Sequence, residues 1–436
     1  MSDHTANNWP VISWNEAGEE KSARWRSESG TPPPKRVLIA DDRITADAAY
    51  RLACEGTALL WRGDFQNARQ LLQAMARRVD EKPRGRKLKN IPATAKVHGK
   101  PILPVHTRFP NPRYALPNPP PMSEKLLAGH PGEGTNESLR ELNLKDAFNQ
   151  HRLAQSQRAR TLGMLLIPFN ADHSIPLRRA PDASLACNEV YGVATEEYIT
   201  SLRGLLGIIG AYEWRKNGVE IPALGARIHP HYGVFAPIRG EYVALVNDSP
   251  LPKIISKHSV AFDIGTGTGV LAAVLARRGI KHIVATDQDP RALNCARENL
   301  TRLVLTKQVE VIQADLFPEG LASLIVCNPP WVPARPSSPL EYAVFDPESR
   351  MLLGFLNGLA THLEPGGEGW LILSDLAEHL GLRSRAELLA AIAAAGLKVL
   401  GKTDVKSHHP RVSDTSDALH AARAAELTSL WRLSVK

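Results

Sequence analysis

The chain has 436 residues, 43% hydrophobic and 22% charged, enough for two or three domains with a sizeable core, which excludes a fibrous or low-complexity protein. A formal charge of +8 and a pI near 9.3 permit an acidic partner such as RNA without requiring one. Cys54, Cys187, Cys295 and Cys327 are scattered with no CxxC pair, no apolar run reaches membrane-spanning length and the N-terminus is polar, so the expectation is a metal-free, soluble protein of a reducing cytoplasm.

Residues 1–35 carry Trp9, Trp14 and Trp25, end in Pro32-Pro33-Pro34 and read as a mobile tail whose tryptophans either dock on a partner or lie over the body. Residues 36–80 read as a helical hairpin, with Ala49, Leu52, Ala53, Leu59 and Leu60 on one helix and Ala68, Leu71, Leu72 and Met75 on the next. Gly63-Asp64 separates the two, with Asp64 placed as an N-cap. Residues 81–125 read as a basic, proline-rich linker, and the cations from Arg77 to Arg113 are opposed only by Asp80 and Glu81. Closely spaced cations suit phosphates through counterion release, with Phe109 and Tyr114 available to stack on bases, and they equally suit a solvated spacer.

Residues 126–235 read as an α+β recognition region. It holds a helix over 139–162 with Arg152, Arg158 and Arg160 on a solvated face, strands at 162–169 and 174–179 paired around Asn170-Ala171-Asp172, and a helix over 195–214. His229 and His231 have no third ligand at metal spacing and read as surface residues. From residue 236 to 436, short apolar strands at 260–264, 283–286, 309–312, 322–326, 370–373, 397–401 and 430–435 alternate with amphipathic helices, the pattern of a parallel, doubly wound α/β sheet. The polar segment 406–426, with His408 and His409, is either a substrate lid or a surface insertion.

Gly265, Gly267 and Gly269 fall at the turn from the first of these strands into a helix, where glycine lets a ligand approach the backbone and free N–H groups face it. The turn by itself fits two cofactors. Gly267-Thr268-Gly269 with Asp287 about twenty residues on can be aligned with a dinucleotide fingerprint. The whole set points elsewhere: Asp263 before the glycines, Asp287-Gln288 ending the second strand, Asp315-Leu316 after the third and Asn328-Pro329-Pro330-Trp331 after the fourth. This set resembles the class I S-adenosylmethionine-dependent methyltransferases, which implies a Rossmann-like seven-stranded domain.

The resemblance implies cofactor contacts from Asp263, Gly265, Thr266, Gly267, Gly269, Asp287, Gln288, Asp315, Leu316 and Asn328, with Asp287 on the ribose and Asp315 on the adenine amino group. It implies that Asn328 and the Pro329 carbonyl clamp a planar amino group while Pro330 and Trp331 shape its pocket. Within the superfamily, residues 232–242 resemble the element preceding the cofactor strand in N5-glutamine and related ribosomal RNA methyltransferases, which makes Arg239 and Glu241 substrate-side candidates. Phe345-Asp346-Pro347 resembles their Phe-Glu-Pro segment, making Phe345 a pocket wall. Gly240 in place of a proline and Trp331 in place of a tyrosine depart from that pattern. The implied acceptor is the glutamine amide of a translation protein or the exocyclic amine of an RNA base; a dinucleotide-dependent oxidoreductase or a silent nucleic-acid-binding module are the alternatives.

Overall fold

The computed structural model describes residues 10–80, 135–238, 240–336, 339–406 and 419–436. Most of the basic linker, Trp9, Arg239, His408 and His409 lie outside the described residues.

The N-terminal part opens with an antiparallel hairpin of β1 (Val11–Glu16) and β2 (Glu19–Trp25) turning through Ala17 and Gly18, both at positive φ. There follow β3 (Arg36–Ala40), α1 (Ala46–Cys54), β4 (Thr57–Trp61), α2 (Phe65–Asp80), α3 (Thr135–Leu162), β5 (Leu165–Phe169), α4 (Ser184–Tyr191), β6 (Tyr198–Ser201) and α5 (Leu202–Asn217). The strands make one six-stranded mixed sheet in the order β1-β2-β6-β5-β4-β3.

Three expectations are corrected here. Residues 11–25 are sheet, not tail: Ile12 and Trp25 are buried on one face of the sheet against Ala58, Leu60, Leu166 and Ile199. The helical hairpin is a β-α-β-α unit, because β4 is apolar on both faces: Leu59 and Trp61 face the helices while Ala58 and Leu60 face the hairpin. A run without alternation hides its period, so a strand buried on both faces reads as helix in the sequence. Residues 174–179 form no strand; β5 pairs instead with β4 and with β6, which occupies the start of the helix expected over 195–214. Asp64 does cap α2, accepting from the Gln66 N–H at 2.8 Å.

The C-terminal part begins with a small β7 (Val219–Ile221) and β8 (Ala226–Ile228) hairpin, then α6 (Glu241–Asp248), β9 (Val260–Ile264), α7 (Val270–Arg277), β10 (His282–Asp287), α8 (Pro290–Arg302), β11 (Val309–Gln313) and β12 (Ala322–Cys327). It continues with α9 (Arg350–His362), β13 (Leu363–Ser374), α10 (Leu376–His379), α11 (Arg385–Ala394), β14 (Leu397–Lys406), α12 (His420–Ala425) and β15 (Leu427–Val435). The sheet has the expected seven strands, in the order β11-β10-β9-β12-β13-β15-β14. It is not wholly parallel, because β15 enters between β13 and β14 antiparallel to both. Helices α6, α7 and α8 cover one face and α9 and α11 the other. The order reverses between β9 and β12, which puts a crevice at their carboxyl ends. Ile221, Leu224 and Ile228 pack into this core, so a boundary drawn at residue 236 cuts through it.

Trp25→Ala is expected to destabilise the N-terminal sheet by about 3–5 kcal/mol, read as a lower urea midpoint; a tail residue would leave it unchanged.

Candidate functional site

Asp263 is the penultimate residue of β9 and only 1% exposed. Its Oδ2 accepts from the Thr266 hydroxyl at 2.6 Å and from the Ala272 N–H at 3.0 Å, tying the glycine turn to the first turn of α7. Burial pushes its pKa up to about 6, against those two hydrogen bonds and with help from the nearby negative charge of Asp287. Gly265, Gly267 and Gly269 all have positive φ, and a Cβ on Gly265 would collide with Met351 Cε. In front of Gly267 the space is open.

Asp287 ends β10 beside this turn, accepting from the Gly267 N–H at 3.0 Å and the Asp289 N–H at 3.0 Å, and burial raises its pKa too. The site therefore holds two desolvated carboxylates, and Asp287 and Asp289 repel rather than relieve them. That field favours a cationic ligand and opposes a pyrophosphate. The helix N-terminus a dinucleotide would need already donates Ala272 N–H to Asp263. The residues thus fit a sulfonium cofactor with a free ammonium group better than a dinucleotide.

Asp315 follows β11 and is exposed, pairing with Arg350 at 2.8 Å. Leu316 takes a positive φ, and its carbonyl accepts from the Thr286 hydroxyl at 2.6 Å, which links the loops after β10 and β11. The Gln288 side chain is exposed; its backbone carbonyl accepts from Gln313.

Asn328, Pro329, Pro330 and Trp331 leave the end of β12. The Trp331 indole N–H donates to Asn328 Oδ1 at 2.9 Å. Val332 then forms a bridge with Phe345, and the Asp346 N–H donates to the Val332 carbonyl at 2.9 Å, so the two motifs recognised separately in the sequence are one structure. Asp346 in turn accepts from the Met351 and Leu352 N–H groups and holds the start of α9, a role that an Asp-Pro pair before an apolar helix signals.

Two contributors gave no local signal. Helix α3 packs Phe148 against Val332 and Phe345, and its Arg152 lies 4.2 Å from the Phe345 ring centroid while pairing with Glu341 at 3.2 Å. Arg152 thus packs against the Phe345 loop rather than lying on a solvated face; Arg158 pairs with Asp80. Arg383, before α11, donates to the Trp331 carbonyl at 3.4 Å and the Ser349 hydroxyl at 3.3 Å.

Glu241 opens α6, whose Tyr242 is buried near enough to Asp263 for that carboxylate to raise the phenol pKa further. Arg239 lies outside the described residues. His229 and His231 are half-buried struts: His229 Nδ1 bonds the Arg215 carbonyl at 2.6 Å, and His231 Nε2 bonds Glu298 at 2.6 Å. Among the described residues no cluster could hold a metal, and no helix is long and apolar enough to cross a membrane.

A family model described as "Methyltransferase small domain" matches residues 226–383. The release factor glutamine methyltransferase of Cereibacter sphaeroides is 32% identical over 161 residues, 34% of this chain and 56% of that protein. The ribosomal protein L11 methyltransferase of Clostridium perfringens is 38% identical over 80 residues, 18% of this chain and 25% of that protein. A crystal structure of a methyltransferase from Pyrococcus furiosus aligns over 53% of this chain and 98% of its own at 19% identity and a TM-score of 0.35. The chain spans a quarter to just over half the length of these two curated relatives. Over residues 226–383 the chain is therefore similar to the methyltransferase small domain. The seven-stranded sheet that carries these residues has the Rossmann-like order expected of the class I methyltransferases.

The Asp315–Arg350 pair is two-thirds exposed on both sides and so is worth at most about 1 kcal/mol. If Asp315 receives the adenine amino group, Arg350→Ala tightens cofactor binding by no more than about 5-fold, measured by calorimetry; a large loss would make Arg350 a direct ligand.

Proposed function

We propose that this chain is an S-adenosylmethionine-dependent N-methyltransferase acting on the planar amide nitrogen of a macromolecule, a glutamine side chain of a translation protein. The observation that supports it most directly is the placement of Asn328 Oδ1, fixed by Trp331 at the carboxyl end of β12, one strand from the desolvated Asp263. The likeness over residues 226–383 and to a release factor glutamine methyltransferase supports the same reading.

The cofactor supplies a methyl group on a sulfonium, an activated electrophile. What the protein must add is alignment, because an amide nitrogen is a poor nucleophile. An indole N–H only donates, so it can hold Asn328 only by the oxygen; that fixes the carboxamide orientation. An amide oxygen has a second lone pair, free to accept an N–H of the substrate, while the Pro329 carbonyl accepts the other. With both in-plane hydrogens held, the nitrogen's out-of-plane lone pair faces the methyl; as N–C forms and C–S breaks, the thioether is released and one amide proton is lost to solvent. Asp263, ionised above about pH 6, would hold the ammonium end of the cofactor while its hydrogen bonds keep the glycine turn closed, and Asp287 would accept the ribose hydroxyls.

Asn328→Ala is expected to lower kcat by about 10²–10³ with little change in cofactor affinity, and Trp331→Phe, which keeps the ring but loses the N–H, by about 10-fold. Unchanged kcat in Asn328→Ala would remove the clamp. Labelled cofactor with fractionated extract should place the methyl in protein; label in RNA would transfer the proposal to a base amine.

The pH dependence has a definite sign. A cation prefers ionised Asp263, so cofactor binding draws its pKa down, releases a proton below pH 6 and tightens as pH rises from 5 to 7. Asp263→Asn should flatten that dependence in calorimetry run in buffers of different ionisation enthalpy.

A further inference from the structure

Beside the acceptor loop lies a groove of about 480 Å³ that neither the cofactor residues nor the amide clamp uses. Its lining is apolar at Pro333, Leu352 and Leu388 and carries Arg335 and Arg383 together with two acids, Glu348 and Glu387. Arg383 reaches both places at once, since the guanidinium that lines the groove also donates to the Trp331 carbonyl.

Arg383 is poorly satisfied for a half-buried cation. Its hydrogen bonds, 3.3 and 3.4 Å long, go to a hydroxyl and a carbonyl, and among the described residues it forms no ion pair. Asp346, Glu378 and Glu387 act on it only through space. Each of these is committed elsewhere: Asp346 to Met351 and Leu352, Glu378 to Arg385, and Glu387 to the Ser384 cap. The fourth nearby acid, Glu348, is 86% exposed and meets Arg335 at only 3.9 Å. Glu348 and Ser349, on the wall, both sit at positive φ, a strained conformation of the kind that gathers at ligand sites.

We infer that this groove is the subsite for the residues flanking the methylated amide in a protein substrate, an apolar side chain lying on its apolar lining and a carboxylate pairing with Arg383 and Arg335. The inference rests on the methyltransferase reading above. A carboxylate gives Arg383 the bidentate partner it lacks and couples occupancy of the groove to the position of the Trp331 carbonyl. Apolar lining and guanidinium pair together match an acidic-apolar peptide. RNA is disfavoured because the lining contains no aromatic ring on which a base would stack.

The test uses the full chain with saturating S-adenosylhomocysteine and the blocked peptides Ac-Ala-Gln-Leu-Glu-Leu-NH2 and Ac-Ala-Gln-Leu-Gln-Leu-NH2, with binding read by calorimetry. The acidic peptide should bind about 5-fold tighter or better, and Arg335→Gln, a surface change that leaves the fold and S-adenosylhomocysteine affinity intact, should erase most of that preference. Equal or undetectable binding of the two peptides overturns the groove assignment, as does displacement of the acidic peptide by a uridine-rich oligonucleotide. Loss is attributable: if S-adenosylhomocysteine itself does not bind, the methyltransferase reading fails and takes this one with it; if it binds and the peptides are not told apart, only the groove fails.

Discussion

Everything at the cofactor end depends on one buried carboxylate. Asp263 sits inside the sheet, where an ionised group is disfavoured, yet its carboxylate accepts from both the Thr266 hydroxyl of the glycine turn and the Ala272 N–H of α7. Stability alone would favour an apolar residue at such a position. A carboxylate there closes the turn through two hydrogen bonds that an apolar residue could not make, and the field it shares with Asp287 favours a cation over an anion beside it. The glycines, with positive φ and no Cβ, then supply the surface against which that ligand lies.

The acceptor end is assembled differently, from pieces remote in the chain. The Asn328 to Trp331 turn is braced on one side by Phe345 and Asp346, on another by Arg383, and on a third by α3, whose Arg152 reaches a partner 189 residues away. The N-terminal part therefore packs directly against the Asn328 to Trp331 loop and its Phe345 neighbour. Its sheet, closed on one face by helices and on the other by the β1–β2 hairpin, gives α3 a rigid base.

How much was legible follows the same division. The glycine turn, the acids after successive strands and the Asn-Pro-Pro-Trp turn could be read because each is a contiguous run at a strand end, where local geometry demands those residue types. The β4 strand could not, because burial on both faces removed its alternation, and Trp25 looked exposed because the two-residue pairing of β2 with β6 that buries it has no local pattern. Arg152 and Arg383 resemble any surface arginine in sequence; only long-range packing makes one a lid on Phe345 and the other a brace on Trp331. The antiparallel entry of β15 was likewise hidden, since strand direction leaves no trace in an apolar run.

Asn299 has a consequence for how this protein can be divided. Fully buried on α8, its carboxamide accepts from the His229 N–H and donates to the carbonyls of His229 and Thr268, while its neighbour Glu298 holds Arg215 of α5 and His231. The chain at the start of the family match is thus spliced by side chains into the back of the glycine turn. A catalytic fragment begun at residue 236 would leave Asn299 with unmet polar groups against the loop that grips the cofactor and strip Ile221 and Ile228 from the core. The smallest autonomous unit therefore starts near the end of α5, because the segment from Gly218 to His231 is tied to the glycine turn through Asn299 and to the core through Ile221 and Ile228.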